Sequence, residues 1–132
     1  MLGIDTNVLV RYFAQDDALQ SPVATRFIEH TLSRERPGHV SLVTLAEFAW
    51  VMRGIYRNTV ADISRALLLL LDDRRFVVQQ ARCAWAALDA YSTQGVDFAD
   101  ALIAALDRAE GCTSTVTFDR SAARISGVTL LK

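Results

Sequence analysis

Lysine is all but missing from this chain. Thirteen of its fourteen basic residues are arginine, and the one lysine, Lys132, is the last residue. Chemistry that needs a lysine beside the reacting group is disfavoured, whereas arginine suits phosphate and carboxylate recognition; a GC-rich coding bias accounts for the same skew. Histidine and cysteine are scarce as well, two of each. His30 and His39 fit no HxxxH-type pattern, and Cys83 and Cys112 lie far apart with no metal-binding spacing. Both cysteines read as buried thiols of a protein kept in a reducing cytoplasm. No repeat, low-complexity tract or linker interrupts the 132 residues, so residues 1–132 read as a single domain. Long apolar runs are absent too. "ALLLLL" (Ala66–Leu71) is bracketed by Arg65 and Asp72–Asp73 and is far too short to cross a bilayer, so no membrane association is expected.

What is present is the makeup of an ordinary globular protein, 52% hydrophobic and 22% charged, with a net charge of -1. Residues 2–4 read as a strand and Val8–Ala14 as a helix. "SPVATRFIEHTL" reads as a helix with Ser21 as N-cap and Pro22 as the first helical residue. A strand near 39–43 leads into a helix from Thr44, where Leu45, Phe48, Met52, Ile55 and Tyr56 share one face. Helices are expected at about 60–72, 80–92 and 98–110, and strands in "RFVVQ", "CTSTVTF" and "GVTLLK". Strands alternating with helices argue for a mostly parallel sheet covered on both sides, and such sheets place their sites beyond the carboxyl ends of the strands.

Acids stand at those ends: Asp5, Glu47, Asp97 with Asp100, and Asp119. Each has a local explanation. Asp5 can cap the following helix, Thr44 and Glu47 match a capping box, Asp97 can cap a helix with Asp100 in its first turn, and Asp119 can cap "RSAAR". Taken together, however, carboxylates that cap helices along one sheet edge would crowd a single crevice, where they must take up protons or bind cations. An all-oxygen set without His or Cys suits Mg²⁺ or Mn²⁺, and a divalent cation held by acids is a tool for phosphate chemistry. With the acids neutralised the rest of the surface is net positive, which permits a nucleic-acid partner. Thr6, Asn7, Ser114, Thr115 and Thr117 could orient water or phosphate, and Arg11, Arg53, Arg57 and Arg120 could contact phosphates. Turn chemistry, β-propensity and plain solvation explain these residues as well.

The blocks "DTNVLVRYFAQDD", "VTLAEFAWVMR", "DFADALIAA" and "TFDRSAARISGVTLL" together resemble the PIN-domain ribonucleases, and most of all the VapC toxins of toxin–antitoxin pairs. The resemblance covers nearly the whole chain, in order. It implies a three-layer α/β/α sandwich with a mostly parallel sheet and an Mg²⁺- or Mn²⁺-dependent endoribonuclease with a quartet of acids. Carried over, these are Asp5 of "DTN", Glu47 of "LAEF", Asp100 before "ALIAA" and Asp119 of "TFDR". Asp5 and Asp100 would be the main metal ligands, and Asp97 an auxiliary acid or a simple cap. Thr6, Asn7, Thr117 and Arg11 would help to place the substrate RNA. The resemblance also implies a homodimer and a hetero-oligomer with a VapB-like antitoxin.

Three rivals remain. A receiver-like phosphoacceptor also gathers acids and Mg²⁺ but wants a lysine near the acceptor, and a haloacid-dehalogenase-type phosphatase wants Asp where Asn7 stands. A non-catalytic interaction module would use its acids only as caps. Finally, in "ISRALLLLLDD" Ile63, Leu67, Leu70 and Leu71 suffice for a core face. Leu68 and Leu69 extend apolar surface around the helix, which either is buried all round in this small fold or, with Trp50 and Val51, is expected to line an antitoxin groove or dimer contact.

Overall fold

The computed structural model describes all residues, Met1–Lys132, as two compact units, Met1–Ala81 and Arg82–Lys132. In the first, strands β1 (Leu2–Gly3), β2 (Gly38–Val40) and β3 (Phe76–Val78) form a parallel sheet in the order β1-β2-β3. Leu2 lies opposite Gly38, and Gly38 opposite Phe76. Gly38 is needed at this register, because a Cβ there would come within 2.8 Å of the Ile4 side chain.

Four helices accompany the sheet: α1 (Thr6–Ala14), α2 (Gln20–Arg26), α3 (Leu42–Gly54) and α4 (Val60–Asp72). Helix α1 ends on Gln15 in the left-handed region. The predicted start of α2 is corrected. Asp17 Oδ1 accepts the N–H groups of Leu19 and Gln20 at 3.0 and 2.7 Å, and the helix begins at Gln20. The Ser21 hydroxyl does not cap; it is buried and donates to the Arg11 carbonyl at 2.8 Å, tying α2 to α1. Pro22 still lies in the first turn, where helix N–H groups have no partner inside the helix. A turn of π-helix, Phe27–Thr31, follows.

Helix α3 also starts earlier than Thr44. Ser41 is its N-cap and accepts the N–H of Thr44 at 3.1 Å. Leu45, Phe48 and Met52 are buried as expected, whereas Ile55 lies past the helix end and is 63% exposed. Helix α4, capped by Thr59, buries Ile63, Leu67 and Leu70. Each such side chain removed from water contributes about 1.5–3 kcal/mol. Leu68 and Leu69 are exposed.

The second unit holds α5 (Ala81–Gln94), α6 (Phe98–Ala109) and the parallel pair β4 (Thr115–Thr117) and β5 (Val128–Leu130), with a 3₁₀ turn at Ala122–Arg124. Tyr91 of α5 meets Phe98 of α6 edge-on, with ring centroids 5.8 Å apart. Cys83 is buried, but Cys112, expected to be buried, is exposed, because α6 has already ended and the chain is turning through Gly111. The six helices and the wholly parallel strand pairing are consistent with the expected three-layer α/β/α class. No helix is long and apolar enough to cross a membrane.

Candidate active site

Asp5 follows directly on the first strand. Ile4 still donates its N–H to His39 O at 2.9 Å, and the backbone of Asp5 then remains extended as the N-cap of α1. Its Oδ1 accepts the N–H of the buried Thr6 at 2.8 Å, which fixes the carboxylate while leaving Oδ2 without a hydrogen bond. Thr6 therefore places Asp5 through its backbone, and Asn7 is exposed beside it. An apolar cavity of about 650 Å³ opens next to this turn, lined by Ile4, Asn7, Val8, Val23 and Phe27 among others.

Arg11 differs from the expected phosphate contact. Its Nε donates to Gln20 at 2.8 Å and its Nη1 to Asp16 and to the Tyr56 hydroxyl, each at 3.1 Å. Tyr56 in turn donates to Asp16 at 2.7 Å. These bonds, the one from Tyr56 foremost, hold the Asp16 carboxyl below the usual range. The guanidinium is thus used to brace the end of α1. Arg53 likewise donates to Asn58 O at 3.1 Å.

Glu47 changes meaning with the start of α3. Because Ser41 is the cap, Glu47 sits in the second turn of the helix and has no cap to make. It is exposed and takes part in no hydrogen bond or ion pair, on the helix face that also presents Val43 and Trp50.

In the second unit Asp97 is the expected cap, whereas the short helix at Ala122–Arg124 has Ser121 as its N-cap and Asp119 closes the turn before it. Asp97 Oδ1 accepts the N–H of Asp100 at 3.0 Å at the start of α6. Asp119 follows β4, and its Oδ1 accepts the N–H of Ser121 at 2.8 Å. Its own N–H donates to Thr117 Oγ1 at 3.0 Å, so Thr117 positions an acid. Ser114 and Thr115 are structural. The Ser114 hydroxyl pairs with that of Thr129 at 2.6 Å, and that of Thr115 donates to Asp107 at 2.7 Å.

Asp100 is the electrostatically distinctive member. It is half-buried, it has no basic partner, and burial first, then the charges of Asp97 and Asp119, push its carboxyl above the ordinary aspartate value. Negative charge is therefore concentrated here without compensation, and the donors are carboxylate oxygens alone. In kind this set fits a hard divalent cation. In arrangement, no three His, Cys, Asp or Glu side chains of the chain are placed to share a metal ion.

A family model described as PIN domain matches residues 3–128. This chain belongs to the PIN domain family. No curated protein matches it. PIN domains are generally metal-dependent nucleases acting on RNA or DNA, and the match takes in Asp5, Glu47, Asp97, Asp100 and Asp119. Phe118 stands exposed beside Asp119 and is not among the expected site residues. The only signal for it was an aromatic at the predicted strand end.

Proposed function

We propose that residues 1–132 act as one PIN domain, a cytoplasmic endoribonuclease toxin of the VapC type, silenced by a VapB-like antitoxin and assembled as a homodimer and as a hetero-oligomer with it. The observation that carries this reading is the order of the four acidic blocks inside the family match. On the family match, Asp5, Glu47, Asp100 and Asp119 would each be a ligand of Mg²⁺ or Mn²⁺. When bound, the cation supplies Lewis acidity at a phosphoryl oxygen and lowers the pKa of water.

The chain's own groups prepare this chemistry. The Thr6 N–H holds one oxygen of Asp5 and the Ser121 N–H one oxygen of Asp119, so the other oxygen of each carboxylate stays available. Asp97 fixes the backbone at Asp100, and Glu47 is engaged with nothing else. A receiver-like reading lacks its lysine, since Lys132 is terminal.

The test is cleavage of RNA by the purified chain with Mg²⁺, with Mn²⁺ and with EDTA, beside Asp5→Asn and Asp100→Asn variants. Loss of one such electrostatic contribution is expected to slow cleavage by about 100-fold or more. Equal cleavage by all three proteins overturns the assignment. For the toxin role, induced expression should arrest growth and the Asp100→Asn variant should not.

A further inference from the structure

Phe118 is 81% exposed, although taking an aromatic ring out of water favours the folded state. A loose loop is not the cause. On one side the Thr117 hydroxyl accepts the Asp119 N–H at 3.0 Å, and on the other Asp119 Oδ1 accepts the Ser121 N–H at 2.8 Å. The ring is thus held out from a pinned turn. Val116, in the middle of β4 and two residues before it, is 60% exposed as well. Arg120 comes next; it is exposed and is in none of the three ion pairs, which use Arg11, Arg65 and Arg75. Three consecutive residues therefore offer solvent an aromatic face, a carboxylate and an unpaired guanidinium.

We propose that Phe118 is the stacking platform for a base of the substrate strand and Arg120 a contact for its phosphate, so that Phe118–Arg120 seats single-stranded RNA beside Asp119. The proposal deepens the nuclease reading and rests on Asp119 being one of its acids. Whatever covers Phe118 must also lie against Asp119 and Arg120. A single strand supplies what each needs, a free base face for the ring and a phosphate for the guanidinium. A duplex does not, because its base faces are already stacked on one another. Stacking on an aromatic tolerates every base, so this contact contributes affinity and strand type and leaves sequence choice to other residues.

The experiment uses the full chain and an RNA whose cut bond has been mapped. Binding of the fluorescein-labelled RNA is followed by anisotropy in EDTA, and cleavage is followed with metal. Phe118→Ala is expected to weaken binding and raise KM by about 5- to 100-fold with kcat little changed, and Phe118→Trp to restore both. Replacing one nucleotide beside the cut with an abasic residue should cost wild type the same factor and cost Phe118→Ala nothing more. Arg120→Gln should flatten the salt dependence of binding. Duplex RNA should not compete.

Wild-type behaviour of Phe118→Ala, or losses from the variant and the abasic residue that simply multiply, overturns the proposal. So does a change of oligomeric state in Phe118→Ala on size exclusion with light scattering, which would make the ring a contact between protein chains. Failure of the nuclease reading is seen separately, as Asp100→Asn cleaving like wild type, and the anisotropy measurements decide Phe118 without cleavage.

Discussion

Asp97 Oδ1 accepts the backbone N–H of Asp100 at 3.0 Å, so the acid that starts α6 also fixes the acid one turn in. A cap needs a side-chain acceptor and no charge. Asp97→Asn is therefore expected to keep the stability of wild type, and Asp97→Ala to lose about 1 kcal/mol in urea denaturation. If Asp97 acts only as the cap, Asp97→Asn also keeps its nuclease activity. A stable but inactive Asn variant would show that its charge is needed as well.

Asp100 predicts a crossover in metal response. Its carboxyl is pushed up by burial and by the charges of Asp97 and Asp119, so at neutral pH its ionised form is held at a cost to the fold. In EDTA at pH 7, Asp100→Asn should therefore melt at a higher temperature than wild type. A ligand bound only by the folded state stabilises it by about 2.7 kcal/mol at one hundred times its Kd. Saturating Mg²⁺ or Mn²⁺ should raise the melting temperature of wild type by several degrees and that of Asp100→Asn hardly at all. Equal metal shifts in the two proteins would remove Asp100 from the metal site.

Acid should weaken a contact within the first unit. Arg75 donates through Nε and Nη2 to Asp73, at 3.0 and 2.6 Å to Oδ2, and through Nη1 to Ile28 O at 3.3 Å, joining the start of β3 to the π-helical turn. The hydrogen bonds from Arg75 hold the Asp73 carboxyl below the ordinary aspartate value. With the folded-state value depressed, the contribution is complete above the unfolded value and disappears as pH falls through the folded one. Arg75→Gln should thus cost about 1–2 kcal/mol at pH 7, with the gap to wild type closing in acid below the usual aspartate range. Parallel urea curves at pH 7 and in acid measure it.

Local signals were legible and long-range ones were not. "DFAD" places its cap within four residues, and the Asp97–Asp100 bond is that local pattern realised. Ser41 and Thr44 both qualify as N-caps by type, and the choice between them is made 35 residues and more away. Gln79 donates its N–H to Val40 O at 2.9 Å, and its side chain accepts the N–H of Leu42 at 3.0 Å, ending β2 and starting α3 there. Ser21 differs from its expected role as a cap for a similar reason, since its hydroxyl donates to Arg11 O. At the site the acid types were readable from spacing, but the isolation of Glu47 followed from Ser41. The exposure of Phe118 ran against its apolar character, because "TVTF" alone reads as strand.

Adjacent leucines of α4 should separate stability from association. Leu67 is fully buried, whereas Leu68 and Leu69 are 45% and 60% exposed. Leu67→Ala should destabilise the fold by about 2–5 kcal/mol, by lost transfer energy and by the cavity left behind. Leu68→Ser and Leu69→Ser should each cost about 1 kcal/mol or less, because about half of each side chain is already in water. Together with Trp50, 64% exposed on α3, these side chains are apolar surface that a partner chain would cover. The serine variants should therefore stay folded, melting far closer to wild type than Leu67→Ala, yet weaken dimer formation or antitoxin capture, read by light scattering and by co-purification with a co-expressed VapB-like partner. If both assemblies form as before at unchanged stability, the interface lies elsewhere and the exposed leucines are only surface.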